Sequence, residues 1–321
     1  MTDASIIIVY HYIQRKEERP RMKGMLVDDF ERHVKLLLES GYRIVTLHEY
    51  LEATKDLTTL PPSKMAVLSF DDGLKVHIEN VMPLFQKYGL KGSFFVITRP
   101  LTDRWLAPVH KNHLLLAASV EEDSLFSVAD LITEATRWLV KNSGVAAPLN
   151  TEDLIKKYAA MSPWDDQTTA YYKYLLNVFV SEPVRSLLID HLFRAFYGEL
   201  SAWVSKFYLD KEDIQQMQRA GMEIGSHSHT HQFLSSLSEE AQREEIVRSK
   251  IILEEILGEM STSFSYPYGL GGAYDQVAMD IAKTCGFRAA LTCEKGYAAA
   301  SPSLLAINRI DANDMQKYLI T

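Results

Sequence analysis

The chain has 321 residues, 47% hydrophobic and 24% charged, the composition of a globular protein long enough for one large domain or two smaller ones. Its formal net charge of −8 repels polyphosphate, so nucleic acid is not an expected partner. Two cysteines, Cys285 and Cys293, make neither a disulfide framework nor a close-spaced zinc pair.

In chain order, the apolar run from Ile6 to Tyr10 reads as a strand that stops at His11. The run is too short for a signal peptide or a membrane span and has no basic segment before it, so the expected location is the cytoplasm. Arg15 to Lys23 is basic but interrupted by Glu17 and Glu18, and reads as a solvated loop. Phe30, Val34, Leu37 and Leu38 recur at helical spacing up to Gly41. Met65 to Phe70 is a second strand, stopping at Asp71-Asp72-Gly73, and Val81, Leu84, Phe85 and Tyr88 mark a helix ended by Gly89. Gly92 to Ile97 is a third strand.

From about Leu101 to Leu209 the pattern turns strand-poor. Helices are expected around Leu125–Val140, Asp153–Ala160 and Pro183–Phe196, and Trp105, Trp138, Trp164 and Trp203 all fall in this stretch, suggesting a small helical subdomain with an aromatic core. Strands then resume. Met222–Gly225 leads into Ser226-His227-Ser228-His229-Thr230-His231, Ser263–Tyr266 into Pro267-Tyr268-Gly269, and Ala306–Asn308 into Arg309. Helices are expected over Glu239–Leu257 and around Val277, Ile281 and Ala282. Alternation of strands and helices predicts a parallel α/β sheet or barrel formed by residues 1–100 and 210–321, with 101–209 inserted as helices.

Two clusters carry chemistry. Three histidines within five residues can hold a metal ion: His227 and His231 would share one side of a helical turn, His227 and His229 one side of a strand. The alternative is a polar surface turn. Asp71 and Asp72 end an apolar run, where two adjacent carboxylates are costly unless a cation or a proton transfer uses them; an ordinary Asp-Gly turn is the alternative. Together the clusters complete a set of two histidines and one carboxylate, which leaves positions open for water and substrate.

These residues also resemble a known family. Leu68-Ser69-Phe70-Asp71-Asp72-Gly73 is similar to the TFDDG motif of the polysaccharide deacetylases (carbohydrate esterase family 4). His227 to His231 is similar to its H-[ST]-x-x-H motif, and Ser265-Tyr266-Pro267-Tyr268-Gly269 resembles its R-x-P-Y-G motif. The resemblance spans roughly Ser5–Thr98 and Leu209–Asp311. It implies a distorted (β/α) barrel of about seven strands, an N-acetylated sugar as substrate, and one divalent metal ion held by Asp72, His227 and His231, leaving His229 a bystander. It further implies Asp71 as general base and the backbone N–H of Tyr268 as an oxyanion donor, with Pro267 and Tyr268 against the substrate; apart from the resemblance, one or two of the tryptophans, Trp105 first, are candidates to stack on a sugar ring. Zinc suits the ligands best, and cobalt or nickel would also fit.

The sequence departs from the family pattern in three places. Ser265 stands where the third motif usually opens with Arg, and neither the D-x-x-D-W motif nor the late L-x-H motif has a counterpart. A circularly permuted branch of the family carries a Tyr-His pair on its first strand, which Val9-Tyr10-His11 resembles, so His11 is the expected acid for the leaving amine. Arg309 could replace the missing Arg and pair with Asp71, or form a salt bridge at the rim. Because active sites of parallel barrels gather at the C-terminal ends of the strands, residues that follow the apolar runs should converge on one rim, with the helical insertion as a lid or cleft wall. A sugar-binding protein without catalysis, and an amidase for another N-acyl group, remain open alternatives. His110-x-x-His113 reads as packing, the Gly269–Gly272 segment as a loop, and both cysteines as inert.

Overall fold

A computed structural model describes residues 5–59, 64–144 and 165–319, so the helix expected at Asp153–Ala160 and Trp164 lie outside the described residues. Eight strands form one parallel sheet: β1 (Ile6–Tyr10), β2 (Arg43–Val45), β3 (Met65–Phe70), β4 (Ser93–Val96), β5 (Glu223–Ser226), β6 (Ser263–Ser265), β7 (Ala289–Lys295) and β8 (Ile307–Asp311). Seven of them close a ring in the order β1-β8-β7-β6-β5-β4-β3, with β3 pairing back onto β1 from Ile6↔Ala66 to Tyr10↔Phe70. The remaining strand, β2, pairs with the first half of β3. This is a distorted (β/α) barrel.

Every residue of β1 and β3 is buried, as strands covered on both sides must be, and their apolar residues sort by parity. Ile6, Ile8, Ala66, Leu68, Phe70, Phe94 and Val96 face outward. They pack against Phe30, Val34 and Leu37 of the helix Val27–Glu39, Phe85 of Met82–Tyr88, and Ile214 and Met217 of Lys211–Arg219. Ile7, Val67, Phe95, Leu291 and Ile307 face inward and join Leu47, Tyr50 and Leu51 of the helix Leu47–Ala53. Gly225 sits at the inner wall because nothing larger fits: a Cβ there would lie 2.6 Å from the Phe95 ring and 2.7 Å from Ser263 Oγ. The helix Glu239–Leu257 stops at Gly258, whose φ of 69° an L side chain rarely adopts.

Two strands of the eight-stranded sheet escaped the sequence reading. β2 is three residues long, and β7 ends in Cys293-Glu294-Lys295, where its apolar run gives way to charged residues. β8 also runs further than expected, so Arg309 lies within the strand rather than after it.

The described chain divides into two compact units, residues 1–16, 24–105 and 204–321, and residues 17–23 and 106–203. The second contains the helices Pro108–Ser119, Val128–Ser143, Gln167–Tyr174 and Val184–Tyr197. Its core is mainly aliphatic, built on Leu114, Leu115, Leu131, Leu139, Leu176, Leu188 and Leu192 with Tyr172 and Phe193. Trp138 and Trp203 are only half-buried beside His191 and Tyr197, so the aromatic part of this core comes from Tyr172 and Phe193 rather than from these two tryptophans. The basic run is not simply a solvated loop either, because Arg19 and the Arg21 N–H both engage Glu121, at 2.9 and 2.7 Å. Among the described residues no helix is long and apolar enough to cross a membrane.

Candidate active site

Parity carries over from the core into the site. Val67, Ser69 and then Asp71, just past the end of β3, share the inward face, as do Ile307 and Arg309 on β8. Arg309 and Asp71 are each 1% exposed and form a bidentate pair, Nη1 to Oδ1 at 3.0 Å and Nη2 to Oδ2 at 2.7 Å. The guanidinium also donates from Nε to the Thr292 carbonyl at 2.6 Å and from Nη2 to Ser265 Oγ at 3.1 Å, so its planar fork is held on three sides. Burial alone would raise the Asp71 pKa; the charge of Arg309, with His227 and His11 adding to it, outweighs burial and holds the carboxyl at about 2. The pair is internal, not a salt bridge at the rim.

Beside it, Asp72 Oδ1 lies 3.4 Å from Nε2 of His227 and 3.4 Å from Nε2 of His231, and all three residues are buried. Donor atoms about 2.0–2.1 Å from a tetrahedral centre stand roughly 3.4 Å apart, so these spacings fit a zinc-sized ion. His227 Nδ1–H donates to the Ser265 carbonyl at 2.8 Å, which leaves Nε2 as the free lone pair on the Asp72 side. Burial disfavours a charge on His227, yet Asp71 and Asp72 together raise its pKa; the cluster is one that a cation completes.

The turn carrying these histidines is neither the helix nor the strand weighed from spacing. Ser228 and His231 adopt left-handed backbone, φ 64° and 56°, and Asp72 does so at 77°. His231 N–H donates to Ser228 Oγ at 3.0 Å. Glu245, buried on the helix Glu239–Leu257, accepts from the N–H groups of His229 and Thr230 at 3.1 and 2.7 Å and from the Thr230 hydroxyl. His229 itself turns to Thr98, Nδ1 to Oγ1 at 3.0 Å, and burial lowers its pKa to about 4.

Tyr268 follows β6 with φ 62°, its ring centroid 4.7 Å from that of His231, while Pro267 is buried beside it. His11, at the end of β1, is exposed, and its carbonyl accepts from Nε2 of the fully buried His77 at 2.9 Å. Trp105 is placed by Arg99, whose guanidinium lies 4.8 Å over its ring, rather than by a residue of the site. The sequence reading missed several neighbours. Tyr12 is 7% exposed, and burial together with the nearby Asp72 and Tyr208 pushes its hydroxyl well above the usual range. Cys293 Sγ lies 3.4 Å from Arg309 Nη2, and Glu245 and His77 brace the backbone. None belongs to a motif; of these only Tyr12 follows a site residue directly in sequence, and that adjacency was the available signal.

The family model described as polysaccharide deacetylase matches residues 59–125 and 156–290. The chain belongs to the polysaccharide deacetylase family. Its matched residues include Asp71, Asp72, His227, His231 and Tyr268 and leave out His11 and Arg309. YxkH of Bacillus subtilis (strain 168), a protein named for the polysaccharide deacetylases, is 20% identical over 95% of this chain and 70% of its own length. Among solved structures, the deacetylase PplD of Streptococcus pyogenes in complex with acetate aligns at 18% identity and a TM-score of 0.57, over 96% of this deacetylase-family chain and 92% of PplD. IcaB of Ammonifex degensii aligns at 17% and 0.58, over 99% and 97%. At such identities the likeness concerns the fold.

Proposed function

We propose that the protein is a metal-dependent hydrolase that removes the N-acetyl group from an amino sugar of a glycan or glycan precursor. The observation that carries this reading is the pairing of two differently used carboxylates: Asp72 among two imidazole Nε2 atoms, and Asp71 beside it, locked by Arg309. A divalent ion held by Asp72, His227 and His231, zinc by donor chemistry, supplies Lewis acidity toward the acetamide carbonyl. Arg309 keeps Asp71 ionised, and Oδ1, which accepts only from Arg309 Nη1 where Oδ2 also accepts from the Ser265 hydroxyl, retains a second lone pair able to accept the proton of an attacking water. The left-handed turn at Tyr268 directs its backbone N–H to the developing oxyanion. His11, exposed at the end of β1, gives a proton to the departing amine. Val9-Tyr10-His11 is what supports placing the chain in the permuted branch. Residues 101–209, entering the chain after β4, are the proposed source of sugar selectivity.

Purified protein is assayed for bound metal and for acetate released from a panel of N-acetylated sugars, after chelation and after adding back zinc, cobalt or nickel. Metal-dependent acetate release, abolished by Asp71→Asn with the metal still bound, supports the reading. Full activity in Asp71→Asn refutes the base, and failure to bind any of the three ions refutes the site.

A further inference from the structure

The backbone carbonyls of Tyr10, His11, Tyr12 and Ile13 are all taken, each by its own donor. The Asp71 N–H donates to Tyr10 at 3.0 Å, and the Met25 N–H donates to Tyr12 at 2.9 Å. The other two carbonyls are met by side chains. His77 Nε2–H donates to His11 at 2.9 Å, and Asn80 Nδ2–H donates to Ile13 at 2.8 Å. The chain leaving β1 is thereby held at every residue, while the side chain of His11 stays exposed.

Both side chains come from one π-helical turn, His77–Val81, which follows Asp71-Asp72-Gly73 closely in the chain. Such turns are rare and gather at functional sites. Asn80 is 2% exposed and His77 is fully buried, its ring packed against those of Phe70 and Phe94 at centroid distances of 5.5 and 5.7 Å. Because Nε2 carries the proton, Nδ1 is a bare acceptor, and it has no partner among the described residues. A buried acceptor left unpaired is a cost that an apolar side chain filling the same space would not carry. As packing, then, an imidazole is a poor choice here; its use lies in the bond that Nε2 makes.

We propose that His77 and Asn80 are positioning residues for the leaving-group proton, a two-point clamp that sets where His11 stands relative to Asp71 and the candidate metal ligands. This rests on the deacetylase reading above, in which His11 is the acid. When an acetamide is hydrolysed the carbon–nitrogen bond breaks and the nitrogen takes up a proton as the amine departs, so the acid must sit within hydrogen-bond reach of that nitrogen. Asp71 and the clamp belong to one short stretch of chain, so the base and the acid share a single backbone reference although they end different strands. A reacting group misplaced by about 1 Å loses about a hundred-fold in rate, which is the error the clamp prevents.

The test gives zinc-loaded wild-type, His77→Leu, His77→Gln and Asn80→Ala proteins two acetyl donors, an N-acetylated amino sugar and p-nitrophenyl acetate. Nitrophenolate departs without a proton, so its release needs no acid. His77→Leu should lower kcat on the amide about 10–100-fold at unchanged KM, with p-nitrophenyl acetate turnover altered less than about two-fold. His77→Gln, which keeps a donor, should restore most of the loss. Asn80→Ala releases only the Ile13 carbonyl and should show the same split, which keeps the test open if His77→Leu does not fold. His11→Ala should show it too, and adding His77→Leu to that variant should cost less than about two-fold more. Equal losses on both donors, no loss on the amide, or a full further loss in the His11→Ala background overturns the proposal. Hydrogen exchange at the backbone amides of residues 11–14 needs no turnover, and His77→Leu should speed it about ten-fold. If the wild type hydrolyses no N-acetylated sugar but this exchange depends on His77, the deacetylase reading fails while the clamp on His11 stands. Unchanged exchange refutes the clamp.

Discussion

Replacing Arg309 with methionine would leave the Asp71 carboxylate inside the barrel with the Ser265 hydroxyl, 3.2 Å away, as its remaining side-chain donor. The substitution also strips the 2.6 Å partner from the Thr292 carbonyl. Both side chains of the pair are at most 2% exposed, so water cannot take over either role. Breaking a buried ion pair by removing one member costs about 3–5 kcal/mol, most of it the penalty of the charge left behind. Arg309→Met should therefore lose that much in urea unfolding at neutral pH. Asp71→Asn alone, which leaves the guanidinium without its counter-charge, should lose a comparable amount. The double variant should be no less stable than either single one, because the second change removes the stranded charge. The cycle then yields a coupling of about 3 kcal/mol. A coupling below about 0.5 kcal/mol would refute the claim that Arg309 is what makes a buried Asp71 carboxylate tolerable.

Two further outcomes follow from residues that hold the backbone of the site. Glu245→Ala removes the acceptor that holds the N–H groups of His229 and Thr230, and should weaken zinc binding about 10–100-fold, with Glu245→Gln in between; calorimetric titration of metal into the chelated protein reads this directly. His77, pushed down to about 4 by burial, stays neutral in the fold while the unfolded chain takes up a proton near 6.5. Its stabilisation is thus complete above about 6.5 and is lost as pH falls toward 4, a change of roughly 3 kcal/mol. His77→Gln keeps a donor for the His11 carbonyl without titrating, so its urea midpoint should fall less over that range; parallel curves for the two proteins would contradict this.

The barrel was legible because its strands are buried on both sides and so read as unbroken apolar runs between glycine-stopped helices. β2 and β7 were not legible: one is too short for a pattern, and the other ends in charged residues. The candidate metal-binding trio could be assembled from Asp72 and the histidine cluster, since few uses other than an ion gather such groups at strand ends. Choosing His231 over His229 needed the family motif, because the deciding feature is left-handed backbone at Ser228 and His231, which spacing rules for helices and strands do not describe. Glu245 and His77 were invisible for a different reason. Each reaches the site through a fold contact, and nothing in its neighbours along the chain marks it.

The alternation that points Val67, Ser69 and Asp71 to one side of β3 limits how this protein can vary in length. Inserting or deleting one residue in β3 would rotate Phe70 into the ring and Asp71 out among the helices, losing core and chemistry in the same step. The same holds for β8 and Arg309. Gain and loss of residues is thereby confined to the connections, and the longest of these, between β4 and β5, is where about a hundred residues have been accommodated with the ring still closed.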